Sequence, residues 1–254
     1  MPNSLPQTLA GKRAIITGGT AGIGRATAEL FVEHGAKVVV TGRDLERAKN
    51  IQPLIDQGHA LFVQQDTSDE KSWADVISRT LEAYGGLDIL VNNAGRLIVK
   101  PLPLLSHDDM KLMLAANLES VFLGMRAAWP HLTKTGGNIV NVSALMGAKT
   151  AAIGLAYSAA KAAQQALTKS AALEGAAHNI RVNTVLPGVI WSDGWKRLAG
   201  EKQDETKTSV SANIPLKRVG EPREIAQAIV YLAGDEARYI TGIEMTIDGG
   251  SFAG

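Results

Sequence analysis

Short apolar runs alternate along this chain with longer stretches whose apolar residues recur at helical spacing. Several runs, such as residues 38–40 (Val-Val-Val) and 89–91 (Ile-Leu-Val), are apolar throughout, which is typical of strands covered by helices on both faces of a sheet. Parallel strands must be joined by a crossover of a dozen or more residues, usually a helix. The alternation therefore predicts a parallel sheet. The strand candidates are Arg13–Thr17, Lys37–Thr41, Ala60–Gln64, Asp88–Asn92, Asn138–Val142, Arg181–Leu186 and Ile243–Ile247.

The intervening patterns predict helices, and two of them carry a clear start signal. Ser106 followed by Asp109 resembles a capping box, and Pro222 suits the first turn of a helix. One long stretch, Gly188–Pro215, is polar and without a pattern, and such a loop in a compact domain is usually functional. We expect an α/β fold with one doubly wound domain over residues 1–254, and a flap over the substrate at residues 188–215. The helix candidates are Ile23–His34, Leu45–Gln57, Asp69–Tyr84, Ser106–His131, Ala156–Ala177 and Glu221–Ala233.

Composition argues against several classes of function. The 26 Lys and Arg balance 25 Asp and Glu to a net charge of +1, which does not favour binding to nucleic acid or to an anionic membrane. The chain has no cysteine, and its five histidines are not at ligand spacing, so we expect no metal site. No apolar run reaches the roughly 18 residues of a membrane span, and residues 1–10 do not resemble a signal peptide. We therefore expect a cytoplasmic protein.

A glycine-rich turn follows the first predicted strand and leads into the first predicted helix. Residues 17–24 have the sequence Thr-Gly-Gly-Thr-Ala-Gly-Ile-Gly, and the lack of Cβ atoms at Gly18, Gly22 and Gly24 lets the backbone turn tightly and approach a diphosphate. The N-terminus of the helix would meet that diphosphate with free N–H groups. The spacing departs from Gly-x-Gly-x-x-Gly, and a turn without a ligand is the alternative. The position between strand and helix favours dinucleotide binding.

The end of the second predicted strand bears on the choice of cofactor. A carboxylate there would accept hydrogen bonds from the ribose hydroxyls of NAD. Here Gly42 leaves room for a phosphate and Arg43 offers it a fork of donors, which favours NADP(H) over NAD(H). The alternative is that Asp44 binds the ribose and that Arg43 is a solvated side chain. After the third strand, Asp66 and Thr67 either hold the adenine ring or cap the next helix.

Further polar residues follow the later strands. They are the Asn-Asn-Ala-Gly sequence at Asn92–Gly95, Ser143, the Tyr157-x-x-x-Lys161 pair in the next helix, and Pro187-Gly188. Ligands of open α/β sheets bind beyond the carboxyl ends of the strands, so these residues are expected to converge there. Each signal alone is weak, since a Tyr-x-x-x-Lys pair can be a surface pair and a serine after a strand can be a turn residue. What indicates a common site is that all of them occur together and in this order.

With these motifs the chain resembles the short-chain dehydrogenase/reductase family over about residues 9–250. The motifs at residues 17–24 and 92–95, together with Asn117, Ser143, Tyr157, Lys161 and residues 187–188, match the family pattern. So do Ile240-Thr-Gly and Asp248-Gly-Gly near the C-terminus. Ser192 and Thr67 are mild departures, because the family usually has threonine and an aliphatic residue there. The resemblance implies a Rossmann-type domain with a seven-stranded parallel sheet flanked by helices on both faces.

The resemblance also implies the residues of the site. The catalytic residues would be Asn117, which anchors a proton-relay water, Ser143, which holds the substrate oxygen, Tyr157 as acid and base, and Lys161. Lys161 lies on the same helical face as Tyr157, and its charge would lower the pKa of the phenol while its ammonium holds the nicotinamide ribose. The implied cofactor contacts are Gly18, Thr20, Gly22, Ile23, Gly24, Arg43, Asp66, Thr67, Asn92, Ala94, Gly95, Tyr157, Lys161, Pro187, Gly188, Ile190 and Ser192.

The substrate side of the site is less determined. Arg96 and Leu97, Met146 and Trp195 are candidates to face it, together with the substrate contacts Ser143, Leu145, Leu155, Tyr157 and Trp191. The two tryptophans either cover a hydrophobic substrate or fasten the flap. The leading hypothesis is an NADP(H)-dependent reductase of a 3-oxoacyl thioester or another hydrophobic ketone. The alternatives are an NAD-dependent alcohol or polyol dehydrogenase and a non-catalytic dinucleotide sensor. The resemblance further implies a homotetramer.

Overall fold

Seven strands form one fully parallel sheet in the order β3-β2-β1-β4-β5-β6-β7. The structure is a computed structural model that describes residues 7–134, 136–150 and 154–253. The strand order reverses between β1 and β4, which opens a crevice at the carboxyl edge of the sheet. The predicted α/β, Rossmann-like doubly wound fold is thereby confirmed. The strands are β1 (Arg13–Thr17), β2 (Lys37–Gly42), β3 (Ala60–Gln64), β4 (Ile89–Asn92), β5 (Asn138–Val142), β6 (Arg181–Pro187) and β7 (Glu244–Ile247).

Helices cover both faces of the sheet. On one face α1 and α10 pack against Val38 and Val40 of β2. On the other face α3, α5 and α7 pack against Val39, whose side chain points the opposite way because strand side chains alternate. The helices are α1 (Gly22–Glu33), α2 (Gln52–Asp56), α3 (Glu70–Tyr84), α4 (His107–Leu114), α5 (Ser120–Leu132), α6 (Leu145–Ala148), α7 (Leu155–Gly175), α8 (Asp193–Ala199), α9 (Gln203–Ala212) and α10 (Pro222–Ala233).

The helix predicted over Ser106–His131 is interrupted. It begins as predicted, because Ser106 Oγ accepts from the Asp109 backbone N–H at 3.0 Å and an Asp109 carboxylate oxygen accepts from the Ser106 N–H at 3.0 Å. After α4 the chain makes a π-helical turn at Ala115–Glu119 and then continues as α5. A π-helical turn holds one residue more than an α-helical turn, and the spacing of apolar residues in the sequence does not reveal it. The turn carries Asn117, which is fully buried.

Two other predicted boundaries were wrong. The helix expected over Leu45–Gln57 is a 3₁₀ turn, Glu46–Ile51, followed by α2, which begins anew with Pro53 in its first turn because proline lacks the N–H that an ongoing helix needs. The stretch Gly188–Pro215 is not irregular, since it contains α8 and α9. Neither of these helices has a buried residue, so the sequence shows no apolar period there.

Within the described ranges, none of the helices has the length and apolar character that crossing a bilayer requires. The segment that was predicted not to be a signal peptide is residues 1–10, and residues 1–6 of it lie outside the described residues.

Candidate active site

The glycine turn between β1 and α1 has the shape of a phosphate cradle. Gly18 and Gly22 have positive φ angles of 63° and 52°, which other residues rarely adopt. At Gly24 a Cβ atom would lie 2.5 Å from the Gly18 carbonyl oxygen, so the residue there must be glycine. α1 begins without a side-chain cap and without an acidic residue in its first turn. Its N–H groups are therefore available to an anion, and the cradle fits the diphosphate of a dinucleotide.

Asn93, which the sequence analysis did not select, holds this turn in place. Its side-chain amide donates to the carbonyl oxygens of Thr17 at 2.8 Å and Gly18 at 3.2 Å, and its backbone N–H donates to Thr17 Oγ1 at 2.9 Å. The available signal was its place as the second residue of the Asn-Asn-Ala-Gly motif. Ala94 adds a further backbone hydrogen bond to Thr17 Oγ1 at 3.0 Å.

The side chain of Asn92 is directed into the protein rather than toward the crevice. It is buried and donates to Asn141 Oδ1 at 2.9 Å, which joins β4 to β5. Asn141 in turn donates to Thr168 Oγ1 of α7 at 2.9 Å, and Thr184 of β6 also donates to that oxygen at 2.8 Å. The Asn92 side chain thus has a structural role beneath the site, and its contact with a cofactor stays a prediction.

Arg43 and Asp44, which follow β2, have different surroundings. The Asp44 carboxylate accepts from the Glu46 N–H at 3.0 Å and lies 3.4 Å from Arg47, so it caps the following 3₁₀ turn. Arg43 is exposed and lines the main cavity of the site. A Cβ atom at Gly42 would lie 3.3 Å from Thr20 Oγ1 of the glycine turn. Gly42 therefore packs closely against the glycine turn, and a larger residue there would crowd Thr20.

Asp66 and Thr67 end β3 in a tight local turn. Asp66 Oδ1 accepts from the Ser68 N–H at 3.0 Å and from Ser68 Oγ at 2.6 Å, and these hydrogen bonds lower the pKa of the Asp66 carboxyl. The cap of α3 is Asp69, which accepts from the Lys71 N–H at 3.1 Å. The helix-cap alternative for Asp66 is therefore wrong. Thr67 contributes its carbonyl oxygen to the indole N–H of Trp73 at 3.0 Å.

A cavity of about 800 Å³ at the carboxyl edge of the sheet brings most of the predicted residues together. The four residues predicted to be catalytic all line it, as does the start of the flap. None of the described residues on its wall carries a carboxylate. The predicted residues on its wall are Ile23, Arg43, Gly95, Arg96, Leu97, Asn117, Ser143, Tyr157, Lys161, Pro187, Gly188, Ile190, Ser192 and Trp195, and the additional ones are Asn93, Val99, Val142, Ala144, Gly194, Arg197 and Leu198.

Lys161 is held at the end of β5 by two hydrogen bonds. Its ammonium donates to the Val142 carbonyl oxygen at 2.8 Å and to Gln164 Oε1 at 3.1 Å, and the side chain is 3% exposed. Burial lowers the pKa of Lys161 to about 7, because removing the ammonium from water disfavours its charged form.

The pKa of the Tyr157 phenol differs from the expectation. Burial raises the pKa of Tyr157 to about 12, whereas the resemblance implied that Lys161 would lower it. The reason is that the Lys161 ammonium is directed toward β5 and Gln164, and lies 5.8 Å from the centroid of the Tyr157 ring. In the protein by itself, burial therefore keeps the Tyr157 phenol protonated.

Asn117 and Ser143 complete the group. In the π-helical turn, the Asn117 amide donates to the carbonyl oxygens of Arg96 at 2.9 Å and Met113 at 3.0 Å, and accepts from the Arg96 N–H at 3.1 Å. A Cβ at Gly95 would lie 2.8 Å from Asn117 Oδ1 and 3.7 Å from Lys161 Nζ, so the small residue keeps the passage between them open. Ser143 Oγ donates to the Lys161 carbonyl oxygen at 3.1 Å.

The flap begins beside the glycine turn. The Ser192 Cβ lies 3.3 Å from where a Cβ at Gly22 would stand. The Trp191 N–H donates to the Gly220 carbonyl oxygen at 2.8 Å, which fixes this segment to the chain before α10.

The two tryptophans of the flap take different positions. Trp195 lies on the wall of the cavity, whereas Trp191 is not among the described residues that line it. The Trp191 ring instead faces α9, with Lys207 Nζ 5.7 Å from its centroid. Leu145 and Leu155, also expected at the substrate, are likewise outside the described lining, and Leu155 is 44% exposed at the start of α7.

Comparison with known proteins places this geometry in a family. The family model described as Enoyl-(Acyl carrier protein) reductase matches residues 18–251. The chain is 41% identical over 245 residues to the 2,5-dichloro-2,5-cyclohexadiene-1,4-diol dehydrogenase of Sphingobium indicum, covering 95% of this chain and 96% of that protein. It is 39% identical over 247 residues to the NADP-dependent (R)-specific alcohol dehydrogenase of Lentilactobacillus kefiri, covering 95% and 97%.

A solved structure agrees in fold over nearly the whole chain. It is a protein of Agrobacterium tumefaciens described as a gluconate dehydrogenase, with a TM-score of 0.90, 32% identity and 98% of each chain covered. With the matched glycine turn, the residues gathered at the carboxyl edge of the sheet and these relatives, the chain belongs to the short-chain dehydrogenase/reductase family of nicotinamide-dinucleotide-dependent oxidoreductases.

Proposed function

We propose that this protein transfers a hydride between NADP(H) and a carbonyl or secondary alcohol, and that it works as a reductase of a hydrophobic ketone such as a 3-oxoacyl thioester. The observation that carries the proposal is that Asn117, Ser143, Tyr157 and Lys161 line one cavity. That cavity also includes Pro187 and Gly188, at the end of the strand next to β5.

The cofactor would occupy the crevice from the glycine turn to Lys161. The backbone N–H groups of α1 would hold its diphosphate, and the Lys161 ammonium has a third N–H for the nicotinamide ribose. When bound, the nicotinamide supplies or accepts the hydride. Gly95 has no side chain, so the space beside Asn117 stays open to the cofactor. A Cβ atom at residue 95 would lie 2.8 Å from Asn117 Oδ1.

Proton transfer is assigned to Tyr157. In reduction its phenol donates the proton to the substrate oxygen, and a phenol that burial keeps protonated is suited to this step. The positive charge of Lys161 favours the phenolate that remains, since an opposite charge nearby stabilises an anion. The Ser143 hydroxyl would turn from the Lys161 carbonyl oxygen to donate its hydrogen bond to the same substrate oxygen and stabilise its developing charge. Lys161 would then pass a proton on to the phenolate, and Asn117 would anchor a water that returns a proton to Lys161.

Three observations favour NADP(H). Arg43 lines the cavity, and Asp44 is engaged in capping the next turn. A guanidinium suits a phosphate better than a ribose hydroxyl, because its fork of donors matches the phosphate oxygens. A relative that is 39% identical is NADP-dependent by name.

The preference for a hydrophobic substrate rests on four apolar side chains in the lining of the cavity. Leu97, Val99, Trp195 and Leu198 line it, and apolar walls with a few polar groups are typical of sites for small organic molecules. The second candidate is an NAD-dependent alcohol or polyol dehydrogenase, which is favoured by the relative at 41% identity, a diol dehydrogenase by name.

The test is turnover by the purified protein. Oxidation of NADPH and NADH is followed in parallel with 3-oxoacyl thioesters, cyclic ketones, diketones and keto sugars, and reduction of both oxidised cofactors is followed with secondary alcohols and diols. Tyr157→Phe is the control. We expect turnover with NADPH that is lost in the variant while cofactor affinity is kept. Turnover with NADH alone would support the second candidate, and cofactor binding without any turnover would support a sensor.

Assembly as a homotetramer is part of the proposal. Phe122 on α5 and Leu173 on α7 are 45% and 82% exposed, and apolar side chains of this size on two helices are expected to pack against another subunit. Light scattering on the purified protein tests this, and a monomeric mass would contradict it. A cytoplasmic location stays a prediction from the sequence.

A further inference from the structure

Two adjacent glutamines of α7 contact two residues of the candidate active site. Gln164 is 0% exposed and Gln165 is 6% exposed. Gln164 Oε1 accepts from Lys161 Nζ at 3.1 Å, whereas Gln165 Nε2 donates to Ser143 Oγ at 3.3 Å. Buried amide groups are costly unless they are hydrogen-bonded. Their presence on the side of α7 that faces β5 therefore calls for a reason beyond packing.

Gln164 leaves one N–H of the lysine for the reaction. An ammonium has three donors, and two of them are used by Val142 and Gln164. Lys161 Nζ lies 3.7 Å from the position of a Cβ at Gly95, on the wall of the cavity. The third donor is therefore available on the side where Asn117 and Tyr157 also lie.

The charges around Lys161 make a neutral acceptor important. The other ionisable groups on the wall of the cavity are the Tyr157 phenol and the guanidinium groups of Arg43, Arg96 and Arg197, and among the described lining residues there is no carboxylate to stabilise the ammonium. A carboxylate in place of Gln164 would hold the ammonium more firmly. It would also cancel the positive charge that acts on the phenol. An amide oxygen holds the ammonium and leaves that charge intact.

We propose that Gln164 is a positioning residue of the reaction, whose amide oxygen keeps Lys161 charged and fixed at the end of β5 without neutralising it. The inference rests on the proposed function for its kinetic consequence, but the hydrogen bond can be tested in the protein without turnover.

The first test is the titration of Lys161 by NMR of protein carrying ¹⁵N-labelled lysine, with the signal assigned by its loss in Lys161→Met. Gln164→Leu keeps the size of the side chain and removes the acceptor. A hydrogen bond to a charged group is strong enough that its loss should raise the acid dissociation constant of Lys161 about tenfold. Gln164→Glu should lower that constant below the wild-type value. The matched control is Gln165→Leu, which removes the neighbouring amide and should leave the titration of Lys161 unchanged.

The second test is the pH profile of kcat/KM with the substrate found by the cofactor assay. Gln164→Leu should move the alkaline limb, where Lys161 loses its proton, about one pH unit lower. Gln164→Glu should move the limb to higher pH and lower the maximum several-fold, since the carboxylate opposes the phenolate. A purely structural role would lower activity at all pH values without moving the limb.

The outcomes separate this inference from the proposed function. If Lys161 titrates alike in wild type, Gln164→Leu and Gln164→Glu, the inference is overturned. If Gln164→Leu does not fold, a Gln164→Glu titration equal to that of wild type overturns it. If the lysine responds as expected but no carbonyl or alcohol turns over, the hydrogen bond is supported and the proposed function fails.

Discussion

The side-chain amide of Asn93 at the end of β4 is hydrogen-bonded to the carbonyl oxygen of Thr17 at the end of β1, at 2.8 Å. The same amide nitrogen would lie 2.3 Å from a Cβ atom at Gly24, so it fills the space that this glycine leaves open. The shape of the phosphate cradle is therefore fixed by a side chain from the neighbouring strand, and not by the glycines alone.

We expect Asn93→Ala to loosen this cradle. The change removes the partner of two carbonyl oxygens, so it should lower the free energy of unfolding by about 1–3 kcal/mol and weaken dinucleotide binding several-fold. Urea denaturation and a fluorescence titration with NADPH measure the two effects. The control is Asn50→Ala, which removes a hydrogen bond to the carbonyl oxygen of Thr20 in the same turn from an exposed side chain. Wild-type affinity in Asn93→Ala would show that the glycines suffice.

Arg43→Ala should separate the two cofactors. Loss of the guanidinium removes a charged hydrogen bond to the 2′-phosphate, and we expect KM for NADPH to rise about tenfold or more while KM for NADH changes less than about twofold. Steady-state kinetics with both cofactors measure this. Arg47→Ala is the matched control, because Arg47 pairs with Asp44. Equal losses for both cofactors in Arg43→Ala would mean that Arg43 does not bind a phosphate.

The tryptophans of the flap should respond differently to truncation. Trp195→Ala removes apolar surface from the cavity wall, so we expect KM for a bulky hydrophobic ketone to rise about tenfold and KM for a small one to change little. Trp191→Ala is the comparison, since its ring lies against α9. It should lower thermal stability more than substrate affinity. If Trp191→Ala instead raises KM selectively for the bulky ketone, the assignment of the two rings is reversed.

Stability should rise with pH because Lys161 is buried. The pKa of Lys161 is lowered from 10.5 to about 7 in the folded protein, so between these values the unfolded chain binds more protons and the free energy of unfolding increases with pH. Burial raises the pKa of Tyr157 from 10.0 to about 12, and there the folded protein binds more protons, so stability falls above about pH 10. Between pH 7 and 10, the free energy of unfolding of wild type relative to Lys161→Met should increase by on the order of 3 kcal/mol.

Urea denaturation of both proteins at pH 7, 8, 9 and 10 measures this difference. Lys169→Met is the control, because Lys169 has an exposed side chain paired with Glu244. A difference between wild type and Lys161→Met that stays constant over this range would mean that Lys161 is solvated in solution.

The sequence predicts the frame of the site better than the direction of its side chains. The bounds of β1, β3 and β5 follow from their apolar runs, and the glycine turn follows from its place between strand and helix. Whether Asn92 or Asn93 faces the crevice depends on which face of the sheet each residue takes, and a strand end at Asn92 leaves that open. The sequence predicts Trp191 rather than Trp195 among the substrate contacts, because α8 buries no residue and so has no apolar period that would show which ring faces the cavity. Gln164 gave no signal, since its role depends on contact with Lys161.

The π-helical turn at Ala115–Glu119 also limits how this enzyme could be made more stable. A turn with an extra residue is less favourable than a regular one, and deleting one residue from it would restore an α-helix. Because each residue of an α-helix turns by about 100°, the deletion would rotate α4 against α5 and carry the Asn117 amide away from Arg96. The preference of the backbone for a regular helix and the geometry of the site therefore make opposite demands on this turn.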